Sequence, residues 1–169
     1  PAVERKDLSK FTNKNVVFKK NEIQVLGTEV AGHITKVLGK DVSAYTVIKP
    51  DHYGNITLLS GKTKGGKTYS EFHFGAGESS IIKMILGIEN ATPQSLVLIE
   101  EIENGLHPLA TERLVEYLVD VADRKSVQII FTTHSEYAIA PLPAKAVWAA
   151  IDGSAIQGKL DIRSLRSIT

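Results

Sequence analysis

The chain has 169 residues, with 43% apolar and 23% charged side chains, a formal net charge of +1 and no cysteine, so it is long enough for one domain with its own core. That composition excludes a disulfide framework and thiolate metal sites, and it leaves nucleic-acid binding to local basic patches rather than a global field. No apolar run approaches the roughly 20 residues of a membrane span.

The first six residues, Pro1 to Lys6, carry neither an initiator Met nor a signal-peptide core, so the chain reads as part of a longer protein, and the absence of cysteine fits a cytoplasmic one. Residues 1–20 are polar and basic apart from Val16, Val17 and Phe18, and read as a connector. Ile23, Leu26, Val30, Ile34, Val37 and Leu38 then recur at helical spacing, which predicts a helix capped by Asn21 and stopped by Gly39. Tyr45 to Ile48 predicts a strand ended by Pro50. Ile56 to Leu59 and Tyr69 to Phe74 predict two strands joined by a Gly/Lys turn. From Glu78 to about Gly87 a helix is expected, with Ile81, Ile82, Ile85 and Leu86 as its buried stripe.

In the second half, Ser95 to Ile99 is a continuous apolar run of the kind buried on both faces of a parallel sheet. Pro108 to about Ala122 predicts a helix with Leu114, Leu118 and Val121 on one face. Val127 to Thr132 and Ala146 to Ile151 predict a second and a third buried strand. Strand–helix–strand order at these lengths indicates an α/β fold with a parallel sheet.

Chemistry concentrates where these strands end. The first buried strand stops at Glu100 and Glu101, and ligands of open α/β sheets sit beyond the carboxyl ends of strands. Adjacent carboxylates there point in different directions, so one can hold Mg²⁺ through its water shell while the other reaches a nucleophilic water. For the pair alone, a charged strand end is an equal reading. The next strand ends in Thr132-Thr133-His134-Ser135, and a histidine leaving a strand beside an acidic pair can touch a γ-phosphate and the attacking water. Between the two lies Ile102-Glu103-Asn104-Gly105-Leu106-His107-Pro108, a tight loop before a Pro-initiated helix. Upstream, Phe74-Gly75-Ala76-Gly77-Glu78-Ser79-Ser80 is a small-residue loop opening a helix, whose N–H groups and dipole suit an anion.

Taken together and in this order, the four segments resemble the C-terminal part of the ABC ATPase family. The likeness is greatest to the soluble branch that contains recombination, chromosome-maintenance, OLD-like and bacterial anti-phage ATPases, and it spans about residues 70–140. Leu96 to Glu101 is similar to the Walker B segment, Ile102 to Pro108 to the D-loop, His134 to the switch histidine, and Phe74 to Glu78 to the signature loop.

The resemblance implies an α/β, P-loop NTPase, ABC-type lobe with a largely parallel sheet flanked by helices. Residues 1–74 would form a lid or connector segment with a helix and a hairpin, and residues 75–169 the Walker B-bearing lobe. It implies ATP and Mg²⁺ as cofactors, Glu101 and His134 as catalytic groups, and Glu100 at the metal. Gly75, Ala76, Gly77, Glu78, Ser79 and Asn104 would bind the nucleotide. Its partner would be a second ABC ATPase domain, head to tail, with an effector such as a nuclease in a DNA-related or anti-phage system and no membrane. Three positions depart from the family pattern: Gly75 and Ala76 stand where Ser and Gly are usual, which removes a hydroxyl contact to phosphate, and Glu100 stands where Asp is usual.

Gly61-Lys62-Thr63-Lys64-Gly65-Gly66-Lys67-Thr68 satisfies the Walker A string, which requires a helix beginning at its Lys-Thr. The alternating, aromatic run from Tyr69 to Phe74 is a strand pattern instead, so Gly65-Gly66 reads as a hairpin turn and the true P-loop is expected upstream. A catalytically silent dimerisation module is the alternative function. Nucleic-acid binding rests only on short basic stretches such as Arg124-Lys125, which read as solvated surface.

Overall fold

In the computed structural model of the chain the described residues are 22–49, 57–63 and 65–158. They fall into two compact units that divide between Glu89 and Asn90.

The first unit is built on a four-stranded antiparallel meander in the order β1-β2-β3-β4. Its strands are β1 (Ile23–Val25), β2 (Thr46–Ile48), β3 (Leu58–Lys62) and β4 (Thr68–Ser70), and its helices are α1 (Thr28–Leu38) and α2 (Ala76–Glu89). The two helices pack on each other, burying Ala31, Ile34 and Val37 of α1 and Ile81, Ile82 and Ile85 of α2. Ile34, Val37, Ile81, Ile82 and Ile85 lie on the stripe the sequence periodicity predicts, whereas Ala31 is buried in place of the expected Val30 and Leu38, and Leu86 is half-buried.

The helix expected from residue 22 starts six residues later, at Thr28. Ile23 and Val25 instead pair with Ile48 and Thr46. Gly27, with φ −56° and ψ 144°, separates this strand from α1, and the Leu26 N–H donates to the Tyr45 carbonyl at 3.1 Å. Two β-branched residues with a partner strand in reach favour the extended form. The expected stop holds: Gly39 adopts the left-handed conformation, φ 69°, that closes helices without a Cβ clash. Asn21, Pro50 and Ile56 lie outside the described residues.

The strand expected over Tyr69 to Phe74 ends at Ser70 and gives way to a 3₁₀ turn at Glu71–His73. One Glu71 carboxylate oxygen accepts the Leu59 N–H at 2.9 Å, in place of the next ladder bond. Its other oxygen pairs with Lys83 at 2.9 Å.

In the second unit, β5 (Leu96–Ile99), α3 (Pro108–Lys125) and β6 (Gln128–Phe131) form a strand–helix–strand crossover. The strands pair in parallel, in register from Leu96 opposite Gln128 to Ile99 opposite Phe131. Helix α3 buries Leu114, Val115, Leu118 and Val121. His107 caps its start, the ring Nδ1 accepting the Leu109 N–H at 3.3 Å, with Pro108 in the first turn. A short helix α4 (Glu136–Ile139) follows, then β7 (Trp148–Ile151) and β8 (Ser154–Gln157).

Two expectations are corrected here. Strands β5 and β6 are not buried on both faces: Leu96, Leu98 and Ile130 are 55%, 69% and 61% exposed. Among the described residues β5 pairs only with β6, and one crossover helix covers one face of such a pair. The third strand begins at Trp148 rather than Ala146, and it pairs antiparallel with β8. Asp152 and Gly153, with φ 47° and 76°, form the two-residue Asp-Gly turn that folds a chain back on itself. Among the described residues no helix is long and apolar enough to cross a membrane.

Candidate active site

The parallel β5–β6 pair ends both strands at the same edge, and the chain leaves it through two interlocked loops. Thr132 extends the ladder by one residue: its N–H donates to Ile99 O at 3.0 Å and its carbonyl accepts from Ile102 at 3.1 Å. The Thr132 hydroxyl oxygen also accepts the Glu101 N–H at 2.9 Å. Glu101 itself sits at φ +46°, a conformation that costs a non-glycine residue about 1 kcal/mol or more and persists where its surroundings hold it.

Beyond it the loop turns tightly, with Asn104 N–H on Glu101 O at 2.8 Å and Leu106 N–H on Glu103 O at 2.9 Å. Gly105 supplies a left-handed φ of 74°. Ile102, 2% exposed, anchors the loop from below, while Glu100, Glu101, Asn104 and His134 are exposed. The structure therefore gathers these four residues, singled out from sequence, at the carboxyl edge of one parallel pair.

A fifth residue in this group, Glu103, carries no role in the sequence reading. Its carboxylate accepts the Thr133 hydroxyl at 2.6 Å and the His134 N–H at 2.7 Å, so it joins the loop after β5 to the loop after β6. Partial burial raises its proton affinity, but the bonds from Thr133 and His134 outweigh it, and the carboxyl is held below its ordinary range. A signal exists in the string: three acids in four residues, Glu100 to Glu103, precede the polar run Thr132 to Ser135 across the crossover.

Gly75 to Ser79 belong to the first unit. They open α2 as expected, with the Glu78 N–H on Gly75 O at 3.0 Å. Gly75 is exposed and Gly77 is buried; Glu78 and Ser79 are half-buried. The Glu78 side chain is already committed: its Oε1 meets Lys40 Nζ at 2.6 Å and accepts the Tyr45 hydroxyl at 3.0 Å. Tyr45 also hydrogen-bonds Tyr69.

The Walker A string lies on the β3–β4 hairpin. Gly61 and Lys62 are in β3 and Thr68 opens β4, not a helix. Three of the loop amides that a phosphate would need are used within the turn. Thr63 donates to Lys67 O at 2.8 Å, Gly66 to Thr63 O at 2.9 Å, and Lys67 to Thr63 Oγ1 at 3.1 Å.

Among the described residues no cluster of three or more His, Cys, Asp or Glu is placed to hold a metal ion. Exposed Glu100 at a strand end fits the alternative habit of Mg²⁺, which binds through one or two carboxylates, waters and substrate phosphates.

The family model described as "AAA domain, putative AbiEii toxin, Type IV TA system" matches residues 5–140. Among curated proteins none matches the chain in sequence. A solved structure from work on ATP-driven dimerisation and DNA-stimulated activation of SMC ATPases is similar at a TM-score of 0.57 and 14% identity, over 82% of this chain and 85% of that one. A Pyrococcus furiosus Smc head domain with an extended coiled coil, bound to the C-terminal domain of ScpA, is similar at a TM-score of 0.47 and 12% identity, over 82% of this chain and 35% of that one. The first likeness supports an ABC-type, P-loop NTPase fold.

Proposed function

We propose that this chain, which belongs to the AAA-domain family whose model it matches, is the Walker B-bearing C-terminal lobe of an ABC-type ATPase that hydrolyses ATP at a head-to-tail dimer interface. The observation that carries the reading is the parallel β5–β6 register, which ends two carboxylates and a histidine at one edge. An edge of that kind is where α/β sheets bind ligands.

In this reading Glu100 holds Mg²⁺, which supplies Lewis-acid stabilisation of phosphoryl charge when bound. Glu101 orients and deprotonates the attacking water. His134 donates to charge developing on the transferred group. Residues 75–79 and Asn104 contact nucleotide, the former through helix-start N–H groups. Glu78, tied to Lys40 and Tyr45, positions that helix start more than it reaches outward. Residues 1–74 act as lid and connector and residues 75–169 as the catalytic lobe. The P-loop comes from outside residues 61–68, where the Thr63, Gly66 and Lys67 amides are spent on the hairpin.

A second copy of the domain is the proposed partner. The similar SMC ATPases are described as dimerising under ATP and responding to DNA, and the family description names a toxin of a type IV toxin–antitoxin system. The first supports a DNA-related role and the second an anti-phage one; in this reading the protein is cytoplasmic and acts through an effector such as a nuclease. Light scattering on the complete Glu101→Gln protein tests the clamp. With ATP and Mg²⁺ its mass should double. A mass unchanged by nucleotide contradicts the head-to-tail dimer and favours a silent module.

A further inference from the structure

We propose that Glu103 is a positioning residue for hydrolysis, a carboxylate latch that fixes the loop carrying Glu101 to the loop carrying His134. The inference rests on the function proposed above and adds to it a residue that holds its reacting groups in place.

Glu103 lies two residues after Glu101, and both of its oxygens are engaged by the opposite loop, across 30 and 31 residues of chain. Thr133 Oγ1 donates to one at 2.6 Å and His134 N–H to the other at 2.7 Å. These are short bonds of the charge-assisted kind, which are stronger than neutral ones. The ionised carboxylate can only accept, so the single Thr133 hydroxyl proton points to it, while the hydroxyl oxygen accepts the Ser135 N–H at 3.0 Å. A second pair of bonds runs alongside: Glu101 N–H to Thr132 Oγ1 at 2.9 Å and Ile102 N–H to Thr132 O at 3.1 Å. Those fix the backbone at Glu101. The Glu103 pair fixes the backbone at His134, and neither Glu101 nor His134 spends its own side chain on it.

The latch needs an ionised group with two acceptors. The downward pull on the Glu103 carboxyl by its two donors keeps it charged at neutral pH. A glutamine can accept from one donor, but it turns an NH₂ toward the other. With its oxygen on the His134 N–H, that NH₂ meets a Thr133 hydroxyl able to turn and accept it, so Glu103→Gln keeps the side chain's size and loses the charge that strengthens both bonds.

The test uses the complete protein as wild type, Glu103→Gln, His134→Ala and the double variant, with Glu101→Gln as control. Glu103→Gln should lower kcat about 10–100-fold, as groups that orient a reacting residue from behind typically do. KM for ATP and the melting temperature should stay near wild type, and hydrogen exchange at the His134 amide should accelerate. In the His134→Ala background the same substitution should add little further loss. A Glu103→Gln protein with wild-type kcat, or an equal further loss without His134, overturns the latch. Should His134→Ala be too slow to resolve, unchanged exchange at the His134 amide in Glu103→Gln overturns it instead. Wild-type turnover by Glu101→Gln sinks the active-site reading itself. Wild-type turnover by Glu103→Gln beside an inactive Glu101→Gln sinks only the latch.

Discussion

The ring of Tyr69 lies across Gly61 so closely that a β-carbon built on Gly61 would sit 2.6 Å from the Tyr69 Cζ. The two residues face each other across the β3–β4 ladder, so the first glycine of the Walker A-like string is there for an aromatic ring. Gly61→Ala should cost about 1–3 kcal/mol, the usual range for overpacking, read from the midpoint of denaturant unfolding. Lys67→Ala, at an exposed turn residue, should change stability by less than about 0.5 kcal/mol and leave ATP affinity in the complete protein unchanged by calorimetry. A large loss of ATP affinity in Lys67→Ala would make residues 61–68 the phosphate site after all.

Tyr45 makes stability depend on alkaline pH. Its side chain is 2% exposed; burial first, then its bonds to Tyr69 and Glu78, push its hydroxyl well above the ordinary tyrosine range. An unfolded tyrosine titrates near about 10. The folded state therefore favours neutral Tyr45, and that contribution is complete below about pH 10 and is lost as pH rises beyond it. Thermal melts from neutral to strongly alkaline pH should fall more steeply for wild type than for Tyr45→Phe. At neutral pH, Tyr45→Phe should cost about 1 kcal/mol for the lost hydrogen bonds. Equal alkaline slopes in the two proteins would contradict this account.

Much of the second unit was legible because its signals are local. An apolar run into Glu100-Glu101, a His-Pro helix start and a polar run at Thr132 to Ser135 each name their element: β5 and β6 follow within a residue at each end, and α3 starts at Pro108 as expected and runs three residues further, to Lys125. The hairpin reading of Gly65-Gly66 was equally local. What the sequence hid depends on partners far along the chain. Ile23 and Leu26 fit a helical period while Ile23 and Val25 fit a strand, and only pairing with β2 decides. The burial of Leu96 and Leu98 depends on what covers the sheet, which a hydrophobic run does not state. Asp152-Gly153 was a readable turn, masked by the apolar residues before it. Glu103 was hidden because its meaning is a contact with Thr133 and His134 across the crossover.

Steady-state ATP hydrolysis by the complete protein carrying Glu101→Gln, measured beside its nucleotide affinity and beside Glu100→Gln, bears most directly on the central claim. Gln preserves the shape at φ +46° and the backbone bond to Thr132, but its amide is a poor acceptor for a water proton. Turnover should fall about 10²–10⁴-fold, the range for a lost general base, with ATP binding retained. Glu100→Gln should instead weaken Mg²⁺-dependent binding. Hydrolysis at the wild-type rate by Glu101→Gln would contradict the assignment of Glu101 as the catalytic carboxylate, and with it the Walker B register at the end of β5.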